Sequence, residues 1–329
     1  MRYRTIGTDP QHRREVSVLS LGAMLFGTRT DEATAFAVLD RFVEAGGTFV
    51  DTANNYAYWL DGSRGGASER VLGNWRRSRG ITDEVVIATK LGARPKAAGT
   101  GYVENREGLS AAAIRQEAEE SRQRLGVEKL DLLYAHVQDP TVELAETVGA
   151  FGELVAEGTV GLLGVSNHWS WQVERARNLA AGAGLAGYEV LQYSHSYFRR
   201  RADRPSPLSP DGDAGVVVGD LLSYLRANPE LAMVAYSPLL GGSYGNEAAK
   251  PLDQAFDHAG TRARSAVLDQ VAKETGATHN QVVLSWLLGG ELPVIPLTGA
   301  SSVAQLDESL AALDLELTED QRAELDAAH

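Results

Sequence analysis

A chain of 329 residues, 43% of them hydrophobic, can bury a large core, and its length lies within the range of one α/β barrel carrying insertions. A formal net charge of −13 without a long basic run argues against a nucleic-acid partner, because affinity for a phosphate backbone comes from clustered Lys and Arg. The absence of cysteine excludes disulfides, thiolate catalysis and zinc–thiolate sites, and the seven histidines show neither an H-E-x-x-H pairing nor an i, i+4 spacing, so no metal is expected.

Residues 2–20 read as two short segments around a polar turn at Thr8-Asp9-Pro10, a hairpin suited to closing the bottom of a barrel. No leader-like apolar core precedes Val16, and residues 16–26 fall short of the about 20 that a membrane helix needs, so a cytoplasmic protein without a membrane partner is expected. Residues 18–24 form the first core strand. Asp31 then stands as an N-cap before a helix over 33–45, in which Phe36, Leu39, Phe42 and Val43 recur at helical spacing and Gly46-Gly47 end the run.

The same unit recurs. Strands are expected at 48–51, 85–90, 130–136, 160–167, 190–193, 231–236 and 293–297, with helices at 68–79, 110–125, 142–157 and 171–181 and glycine stops at Gly126 and Gly158. Eight strands alternating with helices predict a TIM (β/α)8 barrel, residues 1–329 as one domain, with an N-terminal hairpin. The irregular stretches 57–67, 93–108, 195–215 and 240–260 each follow the C-terminal end of a strand, where a barrel builds its active-site face. Gly182-Ala183-Gly184-Leu185-Ala186-Gly187 matches G-x-G-x-x-G but follows a helix and precedes a strand, the reverse of the dinucleotide fingerprint, and is read as a helix stop.

Three of these strands end on a titratable residue: Asp51, Lys90 and His136, with Tyr56 in the loop after Asp51. Taken singly, each has a plain structural reading as half of an ion pair, a loop anchor or a satisfied polar group. Parallel strands joined by helices point the same way, so together the four would meet on one rim. In this order and on consecutive strand ends the set resembles the aldo-keto reductases, and the resemblance runs over nearly the whole chain.

That resemblance implies reduction of a small-molecule carbonyl, with Tyr56 as general acid and Asp51, Lys90 and His136 in support. The chemistry agrees: a phenol delivers a proton to the developing oxyanion, a neighbouring ammonium is expected to lower its pKa, the carboxylate holds the ammonium, and the imidazole orients the carbonyl. It also implies a nicotinamide dinucleotide, NADP(H) ahead of NAD(H). Gly164-Val165-Ser166-Asn167 and Gln192 resemble the carboxamide site, and Tyr236-Ser237-Pro238-Leu239 the segment that meets the ring and the pyrophosphate, with Gly22, Met24, Asp51 and Gly241 on the same path. The stretch 295–309 resembles the adenine-end loop, with Glu308 and Ser309 near the base. Gly299 and Gln305 stand where some members carry Lys and Arg, so Ser301 and Gln305 would replace charge with hydrogen bonds, or Ser301-Ser302 only cap a helix.

Tyr58, Trp59, His168 and Trp169 are the expected substrate contacts, for a sugar, polyol or aromatic carbonyl, although these rings also suit packing on loop backbone. Arg199-Arg200-Arg201 reads as a solvated run or an anion attractor. Two other readings stay open, a cofactor-binding regulatory subunit of the same fold and a barrel hydrolase or isomerase, and the sequence leaves the oligomeric state open.

Overall fold

The computed structural model describes residues 1–99, 105–201, 203–204 and 212–329, so the expected loops 93–108 and 195–215 lie partly outside the described residues. Strands β1 (Tyr3–Ile6) and β2 (Arg14–Ser17) pair antiparallel as the N-terminal hairpin, with Tyr3 opposite Ser17. Eight further strands follow: β3 (Ser20–Gly22), β4 (Phe49–Asp51), β5 (Val86–Leu91), β6 (Leu130–Ala135), β7 (Val160–Ser166), β8 (Val190–Ser194), β9 (Ala232–Tyr236) and β10 (Val294–Gly299). They close in sequence order with every neighbouring pair parallel, and β10 pairs back onto β3. This is a TIM (β/α)8 barrel.

Strand alternation sorts the core into two shells. Phe49, Val86, Ala88, Leu132, Tyr134, Leu162, Val190, Val234, Ile295 and Leu297 fill the interior, and Ile6 and Val16 of the hairpin join them from below. The intervening residues, among them Val50, Ile87, Leu133, Leu163, Val165, Leu191 and Met233, face outward against the helices. Those helices are α1 (Glu32–Glu44), α2 (Tyr58–Asp61), α3 (Ala67–Arg79), α4 (Ala111–Leu125), α5 (Leu144–Ala156), α6 (Ser170–Ala183), α7 (Gly219–Ala227), α8 (Ala259–Thr275), α9 (His279–Leu288), α10 (Val303–Ala311) and α11 (Glu319–Ala327).

Local chemistry sets many of the boundaries. The Asp31 carboxylate accepts the Thr34 N–H (2.8 Å) and starts α1, and the Ser110 hydroxyl accepts the Ala113 N–H (3.3 Å) and starts α4. Gly126 (φ +68°) ends α4, and Gly184 (φ +66°) ends α6, so the G-x-G-x-x-G run is a helix stop. Ser68 and Glu69 lie in the first turn of α3, yet their side chains turn inward: Ser68 Oγ donates to the Ala23 carbonyl (2.7 Å) and shares a hydrogen bond with Thr52. The sequence reading did not assign α7 and α11, and it differs at two further places. The expected loop 57–67 contains the single turn α2, entered at Ala57 (φ +64°) and left at Gly62 (φ +70°). Between β9 and β10 stand α8 and α9, which the sequence reading did not assign because the long polar segment 240–260 hides their start. No helix among the described residues is long and apolar enough to cross a membrane, and none of their His, Asp and Glu side chains cluster in threes placed to hold a metal.

Candidate active site

The alternation that points Phe49, Ala88, Tyr134, Val190, Val234 and Leu297 inward also points inward the residue two positions on, one layer higher at the barrel mouth. Those residues are Asp51, Lys90, His136, Gln192, Tyr236 and Gly299, and Ser166 follows Gly164 in the same way. Register makes some of them neighbours: Gly299 stands beside Gly22, Gly22 beside Asp51, and Ser166 beside Gln192.

Lys90 Nζ is the centre of the cluster. It is fully buried, forms a salt bridge with Asp51 Oδ1, and donates to the Thr52 carbonyl (2.7 Å) and to the Tyr56 oxygen (2.8 Å). The ammonium also sits 4.7 Å from the centre of the Tyr56 ring and 5.8 Å from that of Tyr134. Tyr134 packs against Gly164, where a Cβ would collide with its ring. Tyr56 and His136 meet edge to face, with ring centres 6.0 Å apart. Asp51 Oδ2 accepts from Gln192 Nε2 (2.7 Å), and Oδ1 accepts a long bond from the Tyr56 hydroxyl (3.4 Å).

Behind Lys90, Glu69 is fully buried and accepts from Thr89 Oγ1 (2.6 Å) and Arg124 Nε (2.6 Å). Glu69, Tyr134 and the Thr52 carbonyl were not singled out from the sequence. Tyr134 was findable, since it lies two positions before His136 on the same strand face. Glu69 carried no signal beyond its place at a helix start.

Burial dominates the electrostatics. Desolvation, reinforced by the Asp51 carboxylate, pushes the Tyr56 phenol well above its ordinary value. The expected lowering of the phenol by Lys90 is therefore overturned: the ammonium is itself held below its ordinary value by burial, against the pull of Asp51 and Glu69. Burial and the Lys90 charge push His136 well below 6.5, so its imidazole is neutral at pH 7. His136 Nδ1 is buried without a partner.

The expected carboxamide residues form one connected group. Ser166 Oγ donates to the Gln192 carbonyl (2.7 Å) and accepts from Asn167 Nδ2 (3.0 Å), Asn167 Nδ2 also donates to the His136 carbonyl (2.9 Å), and Tyr236 OH donates to Asn167 Oδ1 (2.8 Å). Among the described residues four non-glycine residues hold positive φ, namely Ala57, Asn167, Ser237 and Leu240, and each follows a barrel strand on the mouth side. Backbone strain of this kind persists where surrounding structure enforces it and concentrates at functional sites. Pro238 is buried and Leu239 half-buried while Ser237 is exposed, and a Cβ added at Gly241 or Gly299 would meet nothing within 4 Å. Met24 is 42% exposed on the same face.

At the adenine end the arrangement is looser. Ser302 Oγ accepts the Gln305 N–H (3.3 Å) and caps α10, while Gln305 Oε1 accepts the Ser301 N–H (2.8 Å). Glu308 turns toward α9, accepting from Thr278 Oγ1 (2.9 Å), and Ser309 is buried and donates to the Gln305 carbonyl (3.3 Å), so neither joins the strand-end cluster.

On the rim, Tyr58 and Trp59 stack edge to face (5.2 Å between centres), with Trp59 half exposed. His168 is buried with Nδ1 against the Ser166 carbonyl (2.7 Å), and burial pulls it down to about 4. Trp169 opens α6, its N–H donating to Gln172 Oε1 (3.0 Å). Arg201 pairs with Asp203 and Arg200 lies 4.0 Å from Asp253, so those two of the three arginines already face carboxylates.

The model of the aldo/keto reductase family matches residues 18–329. Norsolorinic acid reductase B of Aspergillus parasiticus is 32% identical over 333 residues, covering 97% of this chain and 82% of that protein. An uncharacterized oxidoreductase of Bacillus subtilis, YrpG, is 31% identical over 315 residues, covering 92% of this chain and 89% of its own. An aldo-keto reductase of Emericella nidulans, ausK, is 29% identical over 333 residues, covering 97% and 79%. The chain belongs to the aldo/keto reductase family of oxidoreductases.

Proposed function

We propose that residues 1–329 act as one barrel unit that reduces an aldehyde or ketone to an alcohol with NADPH, Tyr56 delivering the proton. The observation that carries this reading is the Tyr56 hydroxyl, at hydrogen-bond distance from a buried ammonium that a buried carboxylate holds in place. Because burial keeps the phenol protonated at pH 7, it is a donor in the reduction direction. Once the proton has left, the adjacent ammonium stabilises the phenolate in a low-dielectric setting. His136, held neutral by burial, donates a ring N–H to the carbonyl oxygen and fixes its orientation.

A bound nicotinamide dinucleotide supplies the hydride. The residues fit such a group: Ser166, Asn167 and Gln192 offer an amide-complementary set of donors and acceptors, and Tyr236 offers a half-buried ring. The open backbone at Gly241 and Gly299 leaves room for close approach. NADPH is the preferred form because Ser301 and the Gln305 amide, joined by a hydrogen bond at the start of α10, offer polar contacts for a 2′-phosphate. The Tyr58–Trp59 pair at the rim supports an aromatic carbonyl as substrate. Relatives named for reducing norsolorinic acid support reduction as the direction.

The test is a Tyr56→Phe variant. It is expected to keep NADPH binding, read by protein fluorescence, and to lose about 10²–10⁴-fold in the rate of aldehyde reduction. Equal turnover by the variant and the wild type would refute the assignment.

A further inference from the structure

Asp51, Tyr56 and Lys90 arrive on two separate segments, and a single buried carboxylate joins these segments from behind. Glu117, on α4 and 1% exposed, accepts with one oxygen both Asn54 Nδ2 (2.6 Å) and the Gly92 N–H (2.9 Å). Asn54 lies between Asp51 and Tyr56, and Gly92 lies two residues past Lys90. The Asn54 N–H donates in turn to the Lys90 carbonyl (3.0 Å), and Asn55 Nδ2 reaches the Ala93 carbonyl (3.4 Å). The second oxygen of Glu117 and the side-chain oxygens of Asn54 and Asn55 are all buried without a donor. With those acceptors unpaired, the two hydrogen bonds that Glu117 accepts are the side-chain link from α4 to both segments.

Resting on the proposed reduction, we infer that Glu117 is a positioning residue, a clamp that in its ionised form draws the Tyr56 loop against the end of the Lys90 strand. The charges acting on it are Arg94 from the loop after β5 and Glu120 from α4. Arg94 is itself taken up by Glu107 and Glu120, which Arg64 and Arg124 respectively pair with as well. No cation lies within salt-bridge range of Glu117 among the described residues, and burial holds its carboxyl up at about 7. As a carboxylate it accepts two charge-assisted hydrogen bonds, and once protonated it accepts both more weakly. Reduction rate therefore falls as pH drops through about 7, while burying the charge destabilises the fold above that pH.

The experiment compares pH–rate profiles from pH 5.5 to 9 for wild type and Glu117→Gln, with a test aldehyde and saturating NADPH. The clamp predicts a wild-type limb near 7 that is missing in E117Q, a fivefold or greater loss in kcat at pH 8 with KM little changed, and a melting temperature at pH 8 no lower than that of wild type. A merely structural residue would lower the melting temperature and leave the limb in place, and that outcome overturns the inference. Asn54→Ala, which removes one donor, should move the limb upward, and an unmoved limb in N54A counts against the clamp. Amide exchange of residues 52–56 gives a readout independent of turnover. Protection greater at pH 8 than at pH 6 in wild type but equal in E117Q upholds the clamp even if no carbonyl is reduced, a result that would sink only the function it serves. Equal protection in both proteins sinks the clamp itself.

Discussion

Asp51→Asn isolates the energetics on which the whole site depends. The side chains of Lys90 and Asp51 are 0% and 1% exposed, and Asp51 is the one carboxylate within salt-bridge range of Lys90 among the described residues. Removing one partner of a buried pair costs about 3–5 kcal/mol, because the other charge remains out of water uncompensated. With an unfolding entropy of about 2.1 cal/mol/K per residue over this chain, that loss lowers the melting temperature by about 4–7 °C. The sign of the pH dependence follows from Lys90. Burial already holds its pKa below 10.5, and loss of Asp51 lowers it further, so the variant loses stability as pH falls from about 10.5 through the new folded value. The deficit relative to wild type should thus be small near pH 10 and full at pH 7. Replacing both residues, as D51N/K90M, removes the stranded ammonium and should recover most of the loss, although the site would be inactive. Thermal unfolding followed by far-UV circular dichroism at pH 7 and 10 measures wild type and both variants. A single variant within about 1 kcal/mol of wild type at pH 7, or a double variant no more stable than the single, would show that the pair is not energetically coupled as the burial implies.

Three further outcomes are expected. Gly92→Ala forces φ +96° on a residue whose new Cβ would stand 2.5 Å from Leu109 Cδ2, and should destabilise by about 1–3 kcal/mol in chemical denaturation. Gly299→Lys with Gln305→Arg adds cations at an open position and should tighten NADPH by about tenfold, roughly 1.4 kcal/mol, with NADH unchanged, as read by fluorescence titration. Between pH 6.5 and 4 the unfolded chain takes up protons that His136, His168 and His195 resist in the fold, the last two being pulled down to about 4 by burial. Each of the three should remove up to about 1.4 kcal/mol per pH unit over that window, an effect that Glu117, protonated in the fold below about 7, partly opposes. Urea titrations at pH 7, 5.5 and 4 measure the net slope.

Much of the barrel was legible because its signals are local. Alternation over Phe49-Val50-Asp51 and Leu132-Leu133-Tyr134-Ala135-His136 states which side chains share a face, and the caps at Asp31, Ser110 and Gly126 act on backbone groups within a few residues. Strand C-termini carrying Asp51, Lys90 and His136 therefore had to share a rim once the strands were parallel, and the hydrogen bonds of Lys90 follow from that placement. The second half of the chain was less readable. Helices α8 and α9 follow a long polar insertion, and Glu308 and Ser309 sit on α10 with their side chains committed to α9 and to the helix itself.

Taken alone, the order of residue types along the chain determined the eight-strand period, the inward layer of polar side chains and the exclusion of thiol and thiolate chemistry. Tertiary structure decided the protonation preferences, since desolvation depends on what surrounds a group: burial and Asp51 raise the Tyr56 phenol although Lys90 touches it. It also decided which distant groups brace the site. Glu69 and Glu117 lie 21 and 27 residues from Lys90 on helices that present many similar acids, and only packing against β5 buries these two beside it.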